Sequence, residues 1–195
     1  MAVEAVQTRL YLMRHGEVEW SGAVEGEPPL SAAGLTAAEL VASRLPRFNH
    51  IAASPQRATR ETAEVIGAVR AVPLWWREDL DEIRTRVPLG DADAYNAWLD
   101  HLFESFENAV NGESLADGAH RMTVALRAIA DQYYGRPTLV VSHPAILLAF
   151  WCQQVNSPLW RGQIETLPEL ALATLDYVDG RFYVVQDFPT RWDAA

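Results

Sequence analysis

The sequence predicts an α/β fold, a three-layer sandwich in which a mostly parallel central sheet carries helices on both faces. Short, continuous apolar runs at Leu10 to Met13, Ile51 to Ala53 and Leu139 to Val141 read as strands buried on both sides. Helical patterns separate these runs, so successive strands are joined by crossovers and run parallel. No internal repeat, low-complexity tract or linker interrupts the pattern, and residues 1–195 are expected to form a single domain with a helical excursion at about 90–110.

The first strand, Leu10 to Met13, leads straight into Arg14-His15-Gly16, where glycine allows a tight turn. After a loop ending in Pro28-Pro29, Ser31 is placed to cap a helix from about Ala32 to Leu45, and the second strand follows at Ile51 to Ala53. Ser54-Pro55 then opens a helix to about Val69, with Ser54 as N-cap, Pro55 as the first helical residue and Arg57 as the third. Leu74 to Trp76 is a third strand. The excursion from Gly90 to Asn108 carries Tyr95, Trp98, Phe103 and Phe106, aromatics that read as packing or lid groups rather than a cofactor box. Ser114 and Asp117 form a capping box, and Leu115, Ala119, Met122, Leu126, Ile129 and Tyr133 fall on one helical face. Pro137 stops that helix, Leu139 to Val141 is the fourth strand, and Pro144 begins another helix. Leu170 to Tyr177 and Arg181 to Gln186 flank Asp179-Gly180, the signature of a tight hairpin.

Composition narrows the chemistry. The 26 acidic residues exceed the 16 basic ones, giving a net charge of −10 with no basic run, so nucleic acid and anionic membranes are not expected partners. All 16 basic residues are Arg. Without Lys there is no P-loop, no Schiff-base amine and no kinase-type phosphate lysine. Phosphate handling therefore falls to Arg, His and backbone amides. Cys152, the single cysteine, sits in an apolar stretch and is expected in the core of a protein from a reducing compartment. The first residues show neither a charged n-region nor an apolar h-region, so the expected location is the cytoplasm.

In open parallel sheets ligands sit beyond the carboxyl ends of the strands. His15, Arg57 and His143 each follow a strand, so three separate segments deliver candidate groups to one edge. A cation near a helix start opposes the helix dipole by ~0.3–1 kcal/mol, a conflict that a bound anion would remove; the alternative is that Arg57 swings into solvent. Beside it in kind, Arg14 can hold two phosphate oxygens in its planar fork while the His15 imidazole attacks phosphorus. His50, His101 and His120 occupy no such junction and are expected to be structural or on the surface.

Six blocks in order resemble the histidine phosphatase superfamily, the phosphoglycerate-mutase-like group: Leu-Tyr-Leu-Met-Arg-His-Gly-Glu at 10–17, Pro-Leu-Ser-Ala-Ala-Gly at 29–34, Ala-Ser-Pro-Gln-Arg-Ala-Thr-Arg-Glu-Thr-Ala at 53–63, Leu-Asp-Glu at 80–82, Gly-Glu-Ser at 112–114 and Val-Val-Ser-His at 140–143. The resemblance implies that His15 is the nucleophile, that Arg14, Arg57 and His143 hold the phosphoryl oxygens, and that Glu82 protonates the leaving oxygen. It implies a metal-independent phosphatase acting on a small phosphate ester through phosphohistidine, with no cofactor. The alternatives are a cofactor-dependent phosphoglycerate-mutase-type phosphotransferase and a non-catalytic phosphate-binding module of the same fold.

Three positions depart from the family pattern. Val18 stands where Ser or Thr commonly follows, Ser21 replaces an Asn as a shorter phosphate donor, and Pro144 replaces a Gly whose amide can face the phosphate. Glu78, Asp79, Asp81 and Glu82 crowd one stretch, which leaves Asp79 and Asp81 as alternative acids. Glu113 matches the Gly-Glu-Ser block and is expected either to orient the pocket or to serve only as an acid near a helix start. Specificity is expected from Trp20 to Pro29 and from the excursion around Tyr95 to Phe106.

Overall fold

The computed structural model describes residues 7–22, 27–87, 92–109 and 111–188. Its strands are β1 (Thr8–Arg14), β2 (His50–Ala53), β3 (Leu74–Trp76), β4 (Thr138–Ser142), β5 (Leu172–Val178) and β6 (Arg181–Gln186). The helices are α1 (Ala32–Arg44), α2 (Arg57–Arg70), α3 (Ala92–Leu102), α4 (Leu115–Gln132), α5 (Pro144–Val155) and α6 (Gly162–Thr166). One six-stranded sheet has the order β3-β2-β4-β1-β5-β6. The first four strands are parallel, and β5 and β6 close the sheet antiparallel. This is the expected α/β sandwich.

Strand alternation divides the core. Leu10, Leu12 and Val140 pack with Met122, Leu126 and Phe150 under α4 and α5. Tyr11, Met13, Leu139 and Val141 face the other way, onto Val41 and Ile66 of α1 and α2. A side-chain period of two thus sends one strand's residues into two cores, which is why these runs are apolar throughout. Buried apolar surface is worth about 25 cal/mol per Å². That driving force anchors the two central strands, β1 and β4, which end in Arg14 and Ser142.

Capping follows the sequence closely at two helices. Ser31 Oγ accepts from the Gly34 amide at 2.9 Å, and Ser114 Oγ accepts from the Asp117 amide at 3.0 Å. At the hairpin, Asp179 and Gly180 have φ of 49° and 78°, the pair of positive values that the primed turn requires. Cys152 is a buried free thiol.

The start of α2 differs from expectation. Gln56, not Ser54, is its N-cap, and Arg57 is the first helical residue rather than the third. Ser54 Oγ accepts from the Gln56 amide at 3.2 Å and donates to Asp81 at 2.6 Å, but the first helical backbone bond runs from the Arg60 amide to the Gln56 carbonyl, two residues further on. The excursion also contracts: α3 ends at Leu102, short of Asn108, and the expected start at Gly90 lies outside the described residues. The five-residue α6 was not anticipated. Among the described residues no helix is long and apolar enough to cross a membrane.

Two glycines bring α1 against the loop that follows β1. A Cβ on Gly34 would fall 2.3 Å from the Glu17 carbonyl oxygen, and one on Gly16 would meet the Gly34 carbonyl oxygen at 3.3 Å. The need at Gly16 is therefore close approach rather than a left-handed turn.

Candidate active site

At the carboxyl edge of the sheet lies a cavity of about 410 Å³ whose lining includes Arg14, His15, Arg57, Glu82 and His143. Five of the six expected site residues thus meet in one place. Ser21 does not line it. It is exposed in the short 3₁₀ turn Trp20–Gly22, where its amide donates to the Glu19 carboxylate at 3.1 Å, so the expected phosphate-donor role has no geometric support. The neighbouring Trp20 and Val18 do line the cavity, although residues 23–26 of the expected specificity loop lie outside the described residues.

His15 is held by its backbone first. Its amide donates to the Ser142 carbonyl at 3.1 Å, extending the β1–β4 pairing, and its carbonyl accepts from Leu170 at 3.3 Å. Nδ1 lies 2.8 Å from the Gly16 carbonyl oxygen. A carbonyl only accepts, so the proton of the neutral imidazole is on Nδ1 and the lone pair is on Nε2. Burial, assisted by the Arg14 charge, lowers the His15 pKa to about 4 against the pull of the Gly16 carbonyl. The ring is neutral around pH 7.

Arg14 ends β1 beside it. Its guanidinium donates to the Leu167 carbonyl and lies 3.2 Å from Glu169, while its buried Nε has no acceptor among the described residues. Burial lowers the Arg14 pKa from its ordinary value, a sign of how little water screens this cation. Arg57 lines the cavity while its side chain stays half-buried. Its Nε donates to Glu61 at 2.9 Å, and its amide, at the first turn of α2, donates to the Glu27 carboxylate at 3.1 Å.

His143 is the N-cap of α5, with its ring 5.3 Å from that of His15. Its Nε2 lies 3.1 Å from Ser54 Oγ. Burial, then the neighbouring His15 and Arg121, push its pKa well below the ordinary imidazole value. Pro144 follows as the first helical residue and has no amide proton to give. The next two amides, of Ala145 and Ile146, donate to the Glu82 carboxylate at 3.0 and 2.8 Å, and Ile83 adds a third at 2.9 Å. Burial raises the Glu82 pKa against these three donors and Arg121. The Pro144 departure therefore acquires a meaning: the open end of α5 serves the acid.

Arg121, which the sequence reading did not single out, holds that acid loop in place. It donates to the carbonyls of Asp79, Asp81 and Glu82 at 3.1, 2.9 and 3.1 Å and pairs with Glu113 at 2.6 Å. Glu113 in turn accepts from the Arg84 amide at 3.1 Å. Its burial works the other way, yet Arg121 holds the Glu113 carboxyl below its ordinary value. Glu113 thus orients the loop from behind. The sequence signal was a cation at the border of the apolar face of α4, next to Met122. Asp79 is occupied by Arg77 at 2.6 Å, and Asp81 by Ser54, whereas Glu82 alone of the three carboxylates lines the cavity. Tyr95 of α3 lines it as well, its phenol pKa raised by burial and by Glu82. Elsewhere His50 stacks on Tyr133, His101 faces Glu104 and His120 is exposed.

Comparison with known proteins agrees with this architecture. The pattern of the histidine phosphatase superfamily (branch 1) matches residues 10–187. The chain is 29% identical over 188 residues to a probable phosphoglycerate mutase GpmB of Escherichia coli, covering 87% of this chain and 85% of that one. Among solved structures it superposes on Bacillus stearothermophilus YhfR with a TM-score of 0.78 and 25% identity, covering 94% of this chain and 98% of the other. It shares the fold of an Entamoeba histolytica phosphoserine phosphatase solved with 3-phosphoglyceric acid, at a TM-score of 0.74 and 20% identity over 95% and 98% of the two chains.

Proposed function

The chain belongs to branch 1 of the histidine phosphatase superfamily, and on that premise we propose that it hydrolyses a small phosphate monoester through a phosphohistidine formed on Nε2 of His15. One observation carries the reading: the Nδ1 contact to Gly16 and the low pKa of about 4 leave a neutral ring with its lone pair on Nε2. An attacking nitrogen must be unprotonated, and this one is kept so without a neighbouring base.

Arg14, Arg57 and His143 surround the phosphoryl group and offset the charge spread over its oxygens. Nε2 forms a bond to phosphorus as the bond from phosphorus to the ester oxygen breaks. Glu82 gives that oxygen its proton. Burial biases Glu82 toward the protonated form, and Oε2, which accepts one amide while Oε1 accepts two, is the oxygen left to carry the proton. The resulting carboxylate takes a proton from the water that attacks phosphohistidine, and inorganic phosphate departs with His15 restored. Two arginines supply the positive charge, so the reading requires no metal. The substrate is a small molecule with one accessible phosphoryl group, and the setting is the cytoplasm.

Brief incubation with labelled ester should leave phosphate on His15 that survives alkali and is lost in acid, and His15→Ala should remove both label and turnover. Label persisting in that variant would defeat the assignment. Chelators should leave turnover unchanged, and kcat/KM should fail on the acid side as His15 gains a proton near its pKa of about 4.

The name of the Escherichia coli relative favours a second reading, a mutase that returns the phosphoryl group to another position of its substrate. A bisphosphorylated primer together with monophosphoglycerate separates the two. Isomerisation exceeding phosphate release would replace the hydrolase reading.

A further inference from the structure

We propose that Asp81, acting through Ser54, is a positioning residue for His143. It fixes the proton on Nε2 and supplies the counter-charge when that ring takes a second proton on binding a phosphoryl dianion. The inference rests on the hydrolase reading for the role of His143, but its first half concerns a tautomer and is independent of turnover.

The hydrogen-bond count at Ser54 carries the argument. Its hydroxyl is wholly buried and has three neighbours: the Gln56 amide at 3.2 Å, the Asp81 carboxylate at 2.6 Å and His143 Nε2 at 3.1 Å. A hydroxyl has one proton to give and two lone pairs. The amide can only donate and the carboxylate can only accept, so the single hydroxyl proton goes to Asp81. Ser54 Oγ is then an acceptor toward His143, and Nε2 must carry the proton. In the neutral ring Nδ1 is bare.

A bare nitrogen would repel a phosphoryl oxygen, so His143 donates into the cavity from Nδ1 only when the ring holds both protons. Within the empty pocket the second proton is opposed by burial, His15 and Arg121. An arriving dianion reverses the balance from the cavity side, and Asp81 supports it from behind, two hydrogen bonds away. Burial raises the Asp81 pKa above its ordinary value, with Glu78 adding to the rise, while the Ser54 hydroxyl, Arg121 and Arg84 favour the ionised carboxylate for which the hydrogen-bond count above holds. His15 and His143 are thereby set as opposites. The Gly16 carbonyl keeps Nε2 of His15 bare for attack, while Ser54 keeps Nε2 of His143 protonated.

Nitrogen-15 NMR of the histidine rings reads this directly. In the free protein at neutral pH, His143 should show a protonated Nε2 and a bare Nδ1, and saturation with orthovanadate should protonate both. In Asp81→Asn and in Ser54→Ala the doubly protonated state should be lost about one pH unit lower. Orthovanadate inhibition should weaken about tenfold on the alkaline side, one pKa unit corresponding to a factor of ten. Ser54→Thr, which keeps the hydroxyl, should restore both. A bare Nε2 in the free wild-type protein, or a wild-type vanadate profile in both variants, would overturn the proposal. Should Asp81→Asn not fold, Ser54→Ala carries the same test, since it removes the bridge and leaves the carboxylate. A protein with this titration that releases phosphate from no ester would retain the relay and lose the hydrolase reading.

Discussion

Helices α2 and α5 both begin at the carboxyl edge of the sheet, after the adjacent parallel strands β2 and β4, and both starts meet a carboxylate. At α5 the attachment is dense: Glu82 takes two helix amides and one of its own loop, and Arg121 and Glu113 hold that loop from behind. At α2 it is sparse, with Glu27 accepting one amide at 3.1 Å from a half-buried position. Both starts present positive dipole ends. The difference teaches that one is committed to a protein group while the other holds its acid loosely enough for a substrate oxygen to compete.

The largest expected effect comes from the committed end. Glu82→Gln keeps the shape and removes the proton, so turnover of alkyl esters should fall by about 10²–10⁴-fold. The burst of p-nitrophenolate from p-nitrophenyl phosphate should fall much less, because that leaving group needs no proton. Equal losses in the first step on both substrates would mean that Glu82 positions rather than protonates, and the contrast between the two helices would collapse.

Next is the clamp behind it. Arg121→Ala leaves half-buried Glu113 without its partner and frees three carbonyls, so unfolding stability should drop by about 2–3 kcal/mol, read as a lower urea midpoint. A loss below 1 kcal/mol would show that the acid loop holds itself.

Smaller still, Glu27→Gln removes a negative charge from the start of α2 and should tighten inhibition by inorganic phosphate about threefold to fivefold, in line with a charge–dipole term of ~0.3–1 kcal/mol together with relief of repulsion. Weaker inhibition would mean that Glu27 helps to build the pocket. Smallest of all, Pro144→Ala restores an amide at the first position of α5. Phosphate inhibition should change by less than about twofold, the low end of a helix-dipole contribution at ~0.3 kcal/mol, since the next two amides of this helix start already bind Glu82. A tenfold gain would place the start of α5 in the phosphate site after all.

Much of this edge was legible in the sequence because its strands hold continuous apolar runs, and the residues following such a run have only one edge to occupy. That reasoning located His15, Arg57 and His143. It misplaced the start of α2 by two residues: Ser54 takes the Gln56 amide as a cap would, yet the first helical backbone bond is accepted by Gln56, and the proton of the Ser54 hydroxyl goes to Asp81, 27 positions away, a partner that local cap preferences do not register. Ser21 stands outside the cavity lining, its amide on the neighbouring Glu19 carboxylate, a local contact that the spacing from the strand does not register. Arg121 was hidden because three of its partners are carbonyls, which every residue possesses, and its carboxylate partner, Glu113, precedes the helix rather than sharing its face. Glu27 sits in a loop whose path no periodicity encodes.

The placement of β1 between β4 and β5 has a kinetic meaning. The His15 amide and carbonyl are both bonded across this seam, one to each side. Local openings in native proteins release edges and loops first and central strands last. Deuterium should therefore enter the His15 amide only through global unfolding, at the rate of Leu10 and Leu12 in the same strand, while the amides of β6 at the sheet's edge exchange long before. On that expectation the residue proposed to attack phosphorus shares the lifetime of the two central strands, β1 and β4, at whose ends its amide is bonded.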